Sequence, residues 1–413
     1  MIYLDYNATT PLCEPARTAM LPFLDGKFGN PSSIHAAGRE ARAAVDDARD
    51  RLADLLGAKA HELIFTSGGT EANNLAILGL ARSRAARGKH LISAKTEHHA
   101  VLNTIEHLEK REGFEVTWLS VSQAGRVDLD QLTDTIRDDT VLVSIMHANN
   151  ETGVIQPLRE ISEICRAGGV LLHSDMVQSF GKVPIVVPSE SRGIAQSYLK
   201  DSPTGSLDCA RDDVLSLVDA ASFAAHKFYG PKGAGFLFLR SGIPIEPIHF
   251  GGAHENQRRP GTENVAAIAG MAAAAEFVER DREQEQERER NLRDQLWHEI
   301  SAQISPVVLN GDADVRLANT LNTSLPALDS EIMLMALDLE GVCASSGSAC
   351  MVGSVVASHV LLAMGLPLAL ARSAIRFSIG KYTTGEEISA TAGIVSKIAQ
   401  RTNAKPSEKT ISV

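Results

Sequence analysis

The chain has 413 residues, 44% of them apolar and 22% charged, the balance of a soluble globular protein with a large core. Its net charge of −11 speaks against a general phosphate-backbone binder, which needs a basic face, so no nucleic-acid partner is expected. The start, Met1-Ile-Tyr-Leu-Asp-Tyr-Asn7, has no basic leader, and the longest apolar helix candidate, Val265 to Val278, is too short to span a bilayer. No membrane and a cytoplasmic location are therefore expected.

In chain order, Tyr3 to Pro11 is rich in turn formers. Asn30-Pro-Ser-Ser33 is a loop whose Ser or Asn is a candidate cap for a helix over His35 to Leu56, where Val45, Ala48 and Leu52 recur at helical spacing. Strand and helix signals then alternate. Strands are expected at Leu63–Ser67, His90–Ser93, Glu115–Leu119, Val141–Ile145, Val170–His173, Val218–Ala225 and Gly235–Leu239. Helical patterns lie at Glu71–Arg87, His98–Lys110, Leu129–Arg137 and Leu158–Arg166. Seven strands alternating with helices imply a mainly parallel α/β sheet covered on both faces. A long helix, apolar and then charged, is expected between Gly261 and Arg290. The last third mixes strands (Val307–Leu309, Thr320–Ser324, Ile375–Ile379) with helices (Ser330–Leu339, Ser358–Met364, Glu386–Ala399), a smaller α+β domain. The expected division is a large domain over 15–257 and a small one over 1–14 and 258–413. The tail after Thr402 is expected to be disordered.

In such a sheet the site lies beyond the carboxyl ends of the strands, and those positions are chemically loaded. Ser67-Gly-Gly-Thr-Glu71 opens a helix, either as an anion cradle or as a simple cap by Ser67 or Thr70. Thr96-Glu-His-His99, His147-Ala-Asn-Asn-Glu151 and His173-Ser-Asp-Met-Val-Gln178 end further strands. Lys227 follows His226 between two apolar strands. By itself it is either a lysine that snorkels to water or one held as a Schiff base, which avoids burying an ammonium. Together these residues offer what a pyridine cofactor with a phosphate needs: a cradle, a flat ring, a carboxylate and a lysine. The five cysteines (Cys13, Cys165, Cys209, Cys343, Cys350) are scattered, odd in number and without a CxxC pair, which excludes neither a metal nor a disulfide but favours reduced thiols; no metal site is expected.

Nine segments in order carry a resemblance. They are Tyr3-Leu-Asp-Tyr-Asn-Ala-Thr-Thr, Phe28-Gly-Asn-Pro-Ser-Ser, Phe65-Thr-Ser-Gly-Gly-Thr-Glu, Thr96-Glu-His, His147-Ala-Asn-Asn-Glu-Thr-Gly, Ala225-His-Lys-Phe-Tyr-Gly-Pro-Lys-Gly, Arg258-Arg-Pro-Gly-Thr-Glu-Asn, Ser345-Ser-Gly-Ser-Ala-Cys and Ile375-Arg-Phe-Ser. The chain resembles the cysteine desulfurases of the NifS/IscS branch, fold type I enzymes that use pyridoxal 5'-phosphate. The resemblance implies a homodimer that takes sulfur from L-cysteine, leaving L-alanine and a persulfide on Cys350. A sulfur-acceptor protein, such as an iron–sulfur scaffold, would receive it. By the same resemblance Lys227 holds the cofactor, His98 stacks on its ring and moves protons, and Asp175 pairs with the ring nitrogen. Gln178 and Asn150 contact the ring hydroxyl or substrate. Gly69, Thr70 and His226 hold the phosphate, with Thr262 reaching in from a second subunit, and Arg376 clamps the substrate carboxylate. Selenocysteine lyase, another enzyme of the same fold and a non-catalytic partner-binding relative are the alternatives.

Three departures stand out. Ala224 stands where the family has a serine whose hydroxyl helps hold the phosphate. Pro188 to Asp213 is longer than the usual link, and reads as a surface excursion or a docking element. Met351-Val-Gly-Ser-Val-Val-Ala357 is more apolar than the family's run after the cysteine, which leaves the sulfur recipient open.

Overall fold

The computed structural model describes residues 1–184, 214–326, 328–346 and 357–403. A two-residue strand β1 (Ile2–Tyr3) precedes helices α1 (Glu14–Leu24) and α2 (Ala36–Leu56). Strands and helices then alternate through β2 (Leu63–Thr66), α3 (Gly69–Ser83), β3 (His90–Ala94), α4 (His99–Glu112), β4 (Glu115–Leu119), α5 (Leu129–Thr135), β5 (Thr140–Ser144), α6 (Leu158–Ala167) and β6 (Leu171–Asp175). After the short α7 (Val214–Leu217), β7 (Ala220–Ala224) and β8 (Gly235–Leu239) complete a seven-stranded sheet in the order β2-β8-β7-β6-β5-β3-β4.

β8 alone points against the other six strands of this sheet, pairing antiparallel with β2 and β7. The Ala225–Ala234 turn that joins it to β7 has no room for a crossover helix, and a tight connection forces antiparallel pairing. Elsewhere alternate residues face opposite sides, as the pleat requires. Phe65, Ile92, Val143, Leu172 and Phe223 join one apolar layer, and Ile64, Leu91, Leu142, Leu171 and Leu237 the other. The expected fold class holds. Beneath the turn that carries Lys227, Phe223 stacks on Phe236 at 4.4 Å between centroids, and Phe180 meets Phe228 edge-on at 4.7 Å. These rings fix the height at which the turn leaves the sheet.

The expected single helix between Gly261 and Arg290 is two helices, α8 (Val265–Glu279) and α9 (Arg282–Gln303). The apolar half is committed to α1, so closely that a Cβ on Gly270 would come within 2.6 Å of Met20. The charged half turns away at Arg280–Asp281 so that Leu296 and Ile300 pack with Ile388, Ala392 and Val395. The cap of α2 also differs from expectation. Asn30 Oδ1 is occupied by the Ser32 amide at 2.9 Å, and His35 Nδ1 instead accepts from Gly38 N at 3.2 Å.

Past α9, β9 (Val308–Leu309), β10 (Thr320–Ser324), α10 (Ser330–Leu339), β11 (Val342–Cys343), α11 (His359–Ala363), α12 (Leu368–Arg372), β12 (Ala374–Ser378) and α13 (Gly385–Asn403) build a second layer. Its antiparallel sheet has the order β12-β10-β9, and β1 pairs parallel with β11. Cys209, Cys350, the Pro188–Asp213 segment, the apolar run after Cys350 up to residue 356 and the tail from 404 lie outside the described residues.

Candidate active site

The helix α3 starts on bare backbone. Its N-cap is Gly68, at φ 149°, with no side-chain cap, so neither Ser67 nor Thr70 fills that role. A Cβ on Gly69 would come within 2.7 Å of Val177 and 3.4 Å of Ala224 Cβ, while one on Gly235 would meet Gly68 Cα at 2.7 Å. The first-turn amides of a helix have no acceptor within it. Here they lie beside the residue two after Asp175 and the residue three before Lys227, with the Thr70 side chain exposed at the same end.

Asp175 ends β6, 6% exposed, with one carboxylate oxygen taken by Asn73 Nδ2 at 2.6 Å and the other by Val177 N at 2.9 Å. His98 caps α4, its Nδ1 accepting from Ala100 N at 3.0 Å. The neutral ring therefore carries its proton on Nε2. Burial holds this imidazole below its ordinary range, with Asp175 opposing and Lys227 reinforcing the effect. The three side chains thus share one electrostatic neighbourhood. Beside them, burial and then Asp175 push Glu97 well above the usual carboxylate range, and its Oε1 accepts from Met146 N at 2.7 Å.

Lys227 lies in a short turn, Ala225–Lys227, with Nζ 2.7 Å from the carbonyl oxygens of both Asn7 and Ala8. His226 reaches Thr9 Oγ1 through Nδ1 at 3.2 Å, and burial followed by the nearby lysine charges holds it at about 4. Gln178 donates to the Asn7 carbonyl at 2.9 Å. Asn150 presents its backbone carbonyl, rather than its side chain, to Asn7 Nδ2 at 3.2 Å and to Arg376 Nη1 at 2.9 Å. Arg376, 3% exposed at the side chain, also donates from Nη2 to Asp5 Oδ1 at 2.6 Å, and its Nε has no hydrogen-bond partner among the described residues. Thr262 is exposed beside Glu263, which pairs with Arg42 and His254; it is not brought into this network within one chain.

The sequence reasoning missed several members of this network, Asn7 and Lys182 above all. Asn7 lies in a turn-rich stretch that gives no periodic signal. Lys182 sits one helical turn beyond Gln178, donating to Gln178 Oε1 at 2.9 Å and to Asn7 Oδ1 at 3.1 Å. Burial pushes the Lys182 ammonium down and the Glu289 carboxyl up from their ordinary ranges, and both line a small cavity, about 20 Å³, with Lys227. The spacing of Lys182 from Gln178 was the one available clue.

A lysine and a buried carboxylate sharing the mouth of a largely parallel sheet mark a fold type I enzyme. The family model described as aminotransferase class-V matches residues 2–189 and 213–391, its interruption falling where the sequence carries the extra segment. Among curated relatives, the cysteine desulfurase IscS of Dictyoglomus turgidum is 46% identical over 400 residues, 97% of this chain and 95% of the relative. That of Methanosarcina thermophila is 41% identical over 401 residues, 97% and 92% of the two chains. Among solved structures, a NifS-like protein superposes with a TM-score of 0.84 at 33% identity, covering 97% of this chain and 99% of its own. The chain belongs to the class-V aminotransferase family, and within it to the cysteine desulfurases.

Proposed function

We propose that this protein is a pyridoxal 5'-phosphate-dependent cysteine desulfurase that converts L-cysteine to L-alanine and passes the sulfur, by way of Cys350, to an acceptor protein of iron–sulfur cluster assembly. The observation that carries the reading is the shared neighbourhood of Lys227, Asp175 and His98 at the sheet mouth, beside the bare start of α3. The residues fit the cofactor. The glycine-only approach at positions 68, 69 and 235 leaves backbone amides for a phosphate. Asp175 supplies an anion for a protonated ring nitrogen, and His98 a neutral ring to stack on it. Ala224 offers no hydroxyl to the phosphate.

When bound, the cofactor supplies an electron sink. Asp175, held by Asn73 and Val177, would present its carboxylate to the ring nitrogen. Nζ of Lys227 moves the proton of the substrate α-carbon, and His98 Nε2 holds a proton within reach of the leaving sulfur. Arg376 binds the substrate carboxylate, its guanidinium oriented by Asp5 and by the Asn150 carbonyl. Gln178 would contact the ring hydroxyl, and His226 and Thr70 would help hold the phosphate. Cys350 attacks as a thiolate, so the sulfur leaves cysteine for Cys350 and the remaining carbon skeleton gains a proton to become alanine. Thr262 completes the phosphate site of a second copy, which makes the working form a homodimer. A cytoplasmic setting fits the reduced thiols. Among the described residues no helix is long and apolar enough to cross a membrane.

The test is alanine and sulfide release from L-cysteine, with a thiol reductant, by the cofactor-loaded protein beside Cys350→Ala. Both products from the wild type, and little of either from the variant, are expected. A wild type that binds the cofactor and releases neither product would refute the reading.

A further inference from the structure

Asn7, 1% exposed, is a dense polar junction among the described residues, and none of the roles assigned above belongs to it. Its side chain uses its full hydrogen-bonding capacity. Oδ1 accepts from Lys182 Nζ at 3.1 Å and from Asn319 Nδ2 at 3.0 Å, while Nδ2 donates to Thr320 Oγ1 at 2.8 Å and to the Asn150 carbonyl at 3.2 Å. Its backbone amide donates to Ser378 Oγ at 2.9 Å. Its carbonyl accepts from Gln178 Nε2 at 2.9 Å and from Lys227 Nζ at 2.7 Å.

These partners fall into two groups. Asn319, Thr320 and Ser378 belong to the second layer, in or beside β10 and β12. Lys227, Gln178, Lys182 and Asn150 belong to the strand ends of the large sheet. One buried carboxamide therefore joins the layer that carries Arg376 to the perch on which the Lys227 amine rests. That perch is two carbonyls, acceptors that suit an ammonium and cannot donate to it. Moving the second layer would remove three of the bonds that hold Asn7 in place, and the carbonyl under Lys227 would move with it.

We infer that Asn7 is a positioning residue that holds the Lys227 amine on its carbonyl perch only while the second layer is docked, so that the proton-carrying lysine and the carboxylate-binding arginine are set together. The inference rests on the reading of Lys227 as the cofactor-bearing lysine. It assigns Asn7 no contact with substrate. The perch holds a free amine, so the device would act whenever Lys227 is not bonded to the cofactor.

The experiment compares full-length wild type, Asn7→Ala and Thr320→Val after removal of the cofactor. Acetylation of Lys227 by a limiting amine-acylating reagent is followed by mass spectrometry. Thr320→Val keeps the shape of the side chain, lies in the second layer, and removes only the acceptor for Asn7 Nδ2 and the donor to Asn319 (3.0 Å). Lys227 should be acetylated about tenfold faster in both variants, the change expected when a hydrogen bond to a charged group is lost. In the reloaded enzymes kcat should fall by about tenfold while KM for cysteine stays near the wild-type value, since Asn7 acts through Lys227 rather than on substrate. If Asn7→Ala does not fold, Thr320→Val alone decides. Lys227 labelling unchanged in folded Thr320→Val would overturn the inference. Borohydride reduction of the loaded wild type followed by peptide mapping separates the two readings. Cofactor fixed on Lys227 with unaltered labelling defeats only the coupling, whereas cofactor on another lysine defeats the underlying assignment and the coupling with it.

Discussion

The large sheet and the layer that covers its mouth are buried in different ways. Strands β5 to β8 bury every residue, and their facing side chains are mainly Val, Leu, Phe and Ala. Strand β10 buries every residue too, yet four of its five are polar: Thr320, Asn322, Thr323 and Ser324. Asn310 Nδ2 donates to Asn322 Oδ1 at 2.8 Å and to Ser324 Oγ at 2.9 Å, and Asn322 Nδ2 donates to the Glu151 carbonyl at 3.1 Å. Apolar burial is strong and non-directional, so it sets a rigid platform. Hydrogen bonds add less energy but demand one geometry. The platform places Lys227 and Asp175; the amide seam sets where Arg376 stands relative to them.

The contrast can be tested by its energies. Phe223→Ala removes the stacked ring under the Lys227 turn and should destabilise the fold by about 3–5 kcal/mol, read as a fall in the unfolding midpoint. A loss below about 1 kcal/mol would mean that the platform relaxes more readily than its packing implies.

Acid should act on the platform as well. Burial holds His147, which follows β5, at about 4 against 6.5 for an ordinary imidazole. The unfolded chain binds that proton first, so the stabilisation is complete above pH 6.5 and is lost as pH falls toward 4. The full loss is about 3 kcal/mol. His147→Gln should flatten this limb when unfolding free energies are compared at pH 7 and pH 4. The raised carboxyls of Glu97 and Glu151 act in the opposite sense in both proteins, so the difference isolates His147. Equal slopes would show that the ring is protonated while folded.

Asn322→Ala leaves the Glu151 carbonyl and the Asn310 amide short of a partner and should cost about 1–3 kcal/mol. If docking is set by this seam, KM for cysteine rises too; unchanged KM with lowered stability would confine the seam to a structural role. The smallest effect belongs to Ala224→Ser. A hydroxyl beside the start of α3 should tighten cofactor retention by up to about tenfold, measured by dialysis against a cofactor trap. No change would mean that the α3 amides suffice.

The platform was legible in the sequence because short apolar runs bounded by turn residues carry their own period. All seven strands of the sheet fall where those runs do, two with the same ends and the rest with ends differing by at most two residues. The residues just past the strands were legible for the same reason, since topology assigns them to the mouth. The seam was not. Asn7 lies 143 residues from Asn150 and 371 from Ser378, and no local pattern announces such partners. The break between α8 and α9 was missed because both halves are good helix formers. Only the packing of Gly270 on Met20 and of Leu296 and Ile300 on α13 decides that they diverge.

That separation along the chain also has a consequence in time. Tyr3 pairs with Cys343, and Asn7 waits for Ser378. Ribosomes add about 5–20 residues per second, so Tyr3 and Asn7 stay without these partners for on the order of 20–70 seconds while the platform behind them folds. The Tyr3–Asn7 segment is therefore among the last parts to find its place. A nascent chain stalled short of β10 would display a finished sheet with no seam across its mouth.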